Sequence, residues 1–264
     1  RAMIALVIFL IIALMAIFGP MISPYSYDGM DTAIMNQRPS AAHWFGTDRF
    51  GRDLFTRVLY GARISLMVGI VTAVINTIIG VIYGGIAGYV GGRVDMWMMR
   101  LTDILYSIPE LLYIILIMLI FGSNVRSIII GVCVAGWISM ARMVRSQIIT
   151  LKEQEFALAA FVLGANSRRI LFKHLIVNSL GTIIVTVTLM IPQAIFMEAF
   201  LSFVGVGISA PMASLGTLAQ DARTYLEIFP YQMLFPVAAI CVTIFSLNFI
   251  GEGLNSALNP KGKR

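Results

Sequence analysis

An all-α membrane fold is predicted by three features of this chain. Its 264 residues are 59% hydrophobic and only 12% charged, where a soluble domain carries about 25% charged residues. Mean hydropathy is +0.89. The apolar residues are also gathered into long runs, with charged residues and most turn-forming residues between them. No internal repeat of 20–50 residues is evident.

A membrane-spanning helix needs about 20 mostly apolar residues. Six such runs are predicted, at residues 3–22, 64–89, 104–121, 127–143, 180–204 and 233–254. Pro20 and Pro24 close the first. That run lacks a small-residue cleavage site, so it reads as a span rather than a signal peptide. The chain begins at Arg1 rather than Met, which is consistent with further residues upstream. The third run has a more polar lead-in from Arg93 and carries Pro109 and Glu110, which suggest a bend. A first unit, 1–63, then holds one span and a polar segment, and 64–264 forms a five-helix core.

Loop charges set the orientation, because basic residues are retained on the cytoplasmic side. Between spans four and five stand Arg142, Arg145, Lys152, Arg168, Arg169 and Lys173, against Glu153 and Glu155. Lys261, Lys263 and Arg264 follow the last run. Both termini and the 142–178 loop are therefore expected in the cytoplasm. The 23–63 segment is nearly balanced in charge and is expected outside. The net charge of +6 reads as topology-setting, not as a nucleic-acid footprint. Cys133 and Cys241 both lie in apolar runs and read as small buried side chains without metal spacing. Gly80, Gly84 and Gly88 recur every four residues. They form a small-residue face that suits close helix packing within the chain or against a second subunit.

The 152–178 loop, KEQEFALAAFVLGANSRRILFKHLIVN, is a polar island with ordered patterning. A helix is expected over 152–163, with Glu153 and Glu155 in its first turn, where negative charge suits the dipole. Phe156, Ala160 and Leu163 then share a face, and Ala157, Ala159 and Ala160 keep it slim. Gly164 can take the left-handed conformation that ends a helix. Asn166 or Ser167 can cap the next one. That second helix has Arg168, Arg169 and Lys173 on one side and Ile170, Leu171, Leu175 and Ile176 on the other. On physical grounds alone, the loop is either a docking surface or a surface hairpin joining two spans.

The run EFALAAFVLG, followed by Ile170 and HLIVN, resembles the cytoplasmic EAA loop of ABC-importer membrane subunits. It departs from that pattern at Val177, where proline is usual. Residues 43–63, HWFGTDRFGRDLFTRVLYGAR, resemble the HxxGTDxxGRD segment of the peptide/nickel importer group. GGIAGYVGGRVD at 84–95 and the surroundings of Gly136, Glu198, Gly205, Gly251 and Glu252 are similar to the same group. The resemblance implies a type I permease fold of the oligopeptide/dipeptide C type. It implies Glu153, Glu155, Phe156, Ala157, Ala159, Ala160, Leu163 and Gly164 as a coupling helix seated on an ATPase. It also implies a homologous second permease subunit, two cytoplasmic ATPases that bind ATP and Mg, an external binding protein and a peptide substrate.

No catalytic constellation stands out, and no GxxxxGK[ST] phosphate loop occurs. The chain is therefore expected to bind no cofactor and to draw its energy from a partner. His43 and His174 fall on opposite membrane faces, which rules out a shared metal. Intramembrane ionisable groups are functional candidates by default. Glu198, with Ser202 one turn later, reads either as part of the path or as a hydrogen-bonded helix clamp. Glu110 is a second pathway candidate. Arg100 and Asp103 are expected to pair locally. Asp48, Arg52 and Asp53 either brace the outer segment or meet a delivery protein. The competing readings are a permease for nickel or another small ligand, and a membrane scaffold without transport.

Overall fold

The computed structural model describes residues 1–258, so Lys261, Lys263 and Arg264 lie outside the described residues. In chain order the helices are α1 (Ala2–Ile22), α2 (Leu54–Val90), α3 (Gly92–Tyr106), α4 (Glu110–Phe121), α5 (Val125–Ala135), α6 (Trp137–Lys152) and α7 (Glu155–Val162). Then come α8 (Ser167–Arg169), a π-helical turn (Ile170–Leu175), α9 (Ile176–Val204), α10 (Leu215–Arg223) and α11 (Tyr231–Leu258). Five segments are long and apolar enough to cross a membrane: α1, α2, Val125–Lys152, Ser167–Val204 and α11. The pair α3–α4, bent by 74°, makes a sixth when the two helices count as one broken span.

Local chemistry explains where these helices start and stop. Helix α2 begins ten residues before its apolar run because Asp53 caps it, accepting from Thr56 N at 2.8 Å. The helix is therefore continuous across residues 63 and 64. The third span is not continuous over 104–121: Pro109 has no N–H and disfavours helical backbone at Ile108. The carbonyls freed at the end of α3 find side chains instead. Ser107 Oγ donates to Ile104 O at 2.7 Å and Tyr113 OH to Leu105 O at 3.0 Å. The expected Arg100–Asp103 pair gives way to a bridge between elements, in which Arg142 of α6 holds Asp103 at 2.8 Å. Arg145 likewise binds Asp95 of α3 with two nitrogens. Cys241 is exposed on α11 rather than buried, and Cys133 is half-buried.

Helix α2 is the centre of the packing. Its Gly80, Gly84 and Gly88 face α6: a Cβ at Gly84 would fall on the Ala141 backbone, and one at Gly88 would lie 2.8 Å from Arg145 O. The small-residue stripe thus packs within the chain. One apolar cluster, with Leu54, Val58, Ile195, Leu215 and Leu247, joins α2 to α9, α10 and α11. A second, with Met140, Val144, Ile148, Ala157, Leu175 and Ile183, joins α6 to α7, the π-helical turn and α9. The bundle thus has two distinct ends, one carrying the 23–53 segment with α10, the other carrying α7.

Gly84→Leu is expected to destabilise the bundle by about 1–3 kcal/mol or more, because backbone cannot yield to the added side chain. Gly181→Ala, whose Cβ would meet nothing closer than 3.8 Å, serves as a neutral control. Unfolding midpoints in detergent check both.

Candidate functional site

Helix α7 is short and closed at its C-terminus by backbone geometry. Gly164 has φ +81°. Its N–H bonds Phe161 O, and Ala165 N–H bonds Ala160 O, both at 3.0 Å. This pair of bonds is a Schellman motif, and it needs a residue that tolerates positive φ. The chain then re-enters helix at once, because Asn166 Oδ1 accepts from Arg169 N at 2.8 Å. Arg168, Arg169 and Lys173 stay exposed while Ile170, Leu171 and Leu175 are buried. Asn178 Nδ2 donates to His174 O at 2.6 Å, and the helix passes through Val177 unbroken.

The helix is shorter than the 152–163 expected. Lys152 ends α6, and Glu153 is that helix's C-terminal cap, so only Glu155 sits in the first turn of α7. The alanines also divide differently. Ala157 is 4% exposed and packs with Ala160 against Ile170, Leu171 and Leu175. Their small size lets α7 lie close on its own bundle. Ala159 stays exposed. The free face carries Phe156, Leu158, Phe161, Val162 and Leu163, with Phe161 at 69% and Leu163 at 86% exposure. Of the face shared by Phe156, Ala160 and Leu163, the first and last are exposed and Ala160 is half-buried. The free face is nevertheless firmly attached: Lys152 Nζ donates to Tyr89 O at 2.8 Å, tying the α6–α7 corner to α2.

The two carboxylates inside the bundle have different surroundings. Glu198 is fully buried, and Ser65 Oγ of α2 and Ser202 Oγ of α9 donate to it at 2.6 and 2.8 Å. Ser214, which caps α10, lies 3.4 Å from Ser202 Oγ. The geometry joins three elements in a polar clamp, and neither Glu198 nor Ser202 lines a solvent-open wall. Glu110 instead lines a cavity of about 290 Å³ between α2, α4, α5 and α9, with Asn76 and Gln193.

Asp48, Arg52 and Asp53 form the brace of the 23–53 segment, and all are buried. Arg52 Nε donates to Asp48 at 2.7 Å, Arg57 Nη1 binds the same oxygen, and the N–H groups of Phe50 and Arg52 complete the shell. Burial alone would push the Asp48 carboxyl up, but Arg57 and Arg52 outweigh it and hold it below its ordinary value. Asp221 of α10 lies 3.8 and 3.9 Å from Arg52 and Arg57 and balances the second guanidinium. Asp53 pairs with His43 Nδ1 at 2.9 Å while capping α2. Sequence reasoning did not single out Arg57 or Asp221 for this network. Arg57 entered only the loop charge balance, and Asp221 is too distant in sequence for spacing to find. Tyr231 and Gln232 at the start of α11 fasten the same segment through Asn36, Gln37 and Thr47.

The chain is thus a bundle of candidate membrane spans with an exposed apolar helix, α7, at one end and an ion-paired cap at the other. The chain belongs to the binding-protein-dependent transport system inner membrane component family, whose pattern matches residues 80–264. Residues 1–39 match the N-terminal TM domain of oligopeptide transport permease C. The chain is 49% identical to the oligopeptide transport system permease protein OppC of Bacillus subtilis, over 98% of this chain and 85% of that one. It is 48% identical to the dipeptide transport system permease protein DppC of the same organism, over 100% and 82%. With OppC of Escherichia coli K12 the identity is 46%, over 99% and 87%.

Replacing Asp48 by Asn leaves Arg52 and Arg57 buried without their carboxylate. It is expected to cost about 3–5 kcal/mol. Because the Asp48 value is lowered in the fold, its contribution is present above the ordinary carboxylate range and is lost as pH falls through the lowered value. Unfolding midpoints between neutral and acidic pH should therefore fall less steeply in the variant than in wild type.

Proposed function

We propose that this chain is one of two homologous permease subunits of an ATP-driven importer for oligopeptides or dipeptides in a bacterial inner membrane. Both termini and α7 face the cytoplasm. The observation that carries the reading is the free apolar face of α7, held on a Schellman-closed hairpin in a member of this transport family. Burying each of Phe161, Val162 and Leu163 against a partner stabilises the contact by about 1.5–3 kcal/mol. The partner is a cytoplasmic ATPase, one of two, which binds ATP and Mg. This chain binds neither and performs no catalysis.

In this reading, ATP binding closes the ATPase pair and moves α7. Motion then passes through the α6–α7 corner, fixed at Tyr89, and through the α8–α9 helix into the bundle. The bundle reorients from inward-open to outward-open. An external binding protein, meeting the α10 end, releases peptide into the path between the two permease subunits, and hydrolysis resets it. The relatives' names, oligopeptide and dipeptide transport system permease proteins, support peptide as the cargo.

The test is Gly164→Trp in the reconstituted complex. A Cβ at 164 meets no neighbour, but its backbone sits at φ +81°. The expected result is normal membrane insertion with substrate-stimulated ATP hydrolysis reduced at least tenfold. Wild-type coupling in Gly164→Trp, and equally in Leu163→Asp, would overturn the docking role of α7.

A further inference from the structure

The middle of the bundle holds a polar group that its own chain leaves unmatched. Asn76 of α2 is 3% exposed, and its Oδ1 has no hydrogen-bond partner among the described residues. A buried acceptor without a donor is costly and rare, so it calls for an explanation. Gly136 makes room for this side chain: a Cβ there would sit 2.5 Å from Asn76 Nδ2. Asn76 lines the 290 Å³ cavity with Glu110 and Gln193. Glu110, Gln193 and Met197 also line an adjoining cavity of about 390 Å³, which reaches Asn248 of α11. Asn76, Gln193 and Asn248 each belong to the interior of a spanning helix.

The backbone at this level points the same way. Tyr106 and Glu110 flank the break between α3 and α4, and both line the first cavity. Non-helical backbone at membrane depth is tolerated where it is buried in protein or borders a water-filled cavity. Interrupted helices of this kind commonly form the substrate sites of transporters.

The two linings contain one carboxyl group, three side-chain amides and no basic residue. The carboxylate accepts only, and the amides both donate and accept, so the set complements a cation beside main-chain amide groups. We infer that this groove is a contact site for the main chain of the transported peptide. Glu110 receives the terminal ammonium, while the Gln193 and Asn76 amides bond main-chain N–H and C=O groups. Those groups are common to peptides whatever their side chains, so the contact does not select sequence. The inference rests on the peptide reading above. It assigns a role distinct from that of Glu198, whose oxygens are already occupied by serine hydroxyls.

The test uses the complete importer in proteoliposomes, with its second permease subunit, ATPases and binding protein, and an unmodified tripeptide as cargo. In Glu110→Gln, peptide moved per ATP hydrolysed should fall about tenfold, the factor carried by one charge-assisted hydrogen bond, and in Gln193→Ala about fivefold, the factor carried by a neutral one. Wild-type stoichiometry in both variants overturns the site. A second measurement needs no variant: a tripeptide with a diazirine side chain is irradiated in the wild-type complex during turnover. Cross-links are expected in residues 106–114 and 190–197, and cross-links confined to other segments overturn the site. Absence of peptide uptake by the wild-type complex instead overturns the peptide reading itself.

Discussion

The close approach of α2 to α6 is the constraint on which the rest of the structure depends. Lipid tails are as apolar as the side chains they meet, so a membrane bundle gains little from apolar burial alone. Cohesion must come from tight packing and from polar contacts between helices. Gly80, Gly84 and Gly88 supply the first by letting α6 lie against the α2 backbone. The contact fixes the start of α7, because α6 leads into that helix with two residues between. It also sets Gly136 beside Asn76, and so shapes the mid-bundle cavity.

Polar contacts are distributed with the same economy. Glu198 ties α2 to α9 and reaches towards the α10 cap. Asp103 and Asp95 tie α3 to α6. Asp48 collects two guanidiniums at the α10 end, with Asp221 closing the charge balance. Each buried charge meets an opposite charge or several hydrogen-bond donors, the condition under which burial of a charge is tolerable. The bundle is therefore stapled at both ends and in the middle, while the α4–α9–α11 side keeps its polar side chains facing cavities.

Most of the architecture was legible in the sequence, because hydropathy reports lipid contact directly. The spans, the glycine stop at 164, the cap at Asn166 and the two-sided character of 168–176 all follow from local chemistry. Helix starts were harder to place. Asp53 begins α2 in a stretch where hydropathy alone sees only a polar loop. The helix expected over 152–163 exceeds the one formed because alanine and glutamate favour helix on either side of the true break at Glu153 and Gln154. Partners of charged residues were the least legible. Spacing favoured Arg100 for Asp103, but tertiary packing brings Arg142 closer and places its guanidinium 4.6 Å from the Tyr106 ring. Spacing also could not decide between a clamp and a path for Glu198, since that depends on serines from two other elements.

The free face of α7 has a consequence for how such a subunit is made. Leu158, Phe161, Val162 and Leu163 form an apolar patch at the tip of a rigid hairpin. Their own bundle cannot cover it, because Ala157 and Ala160 already fill the space beneath. A copy in which this patch stays uncovered is open to aggregation and to capture by quality control, because exposed apolar surface of this kind invites both.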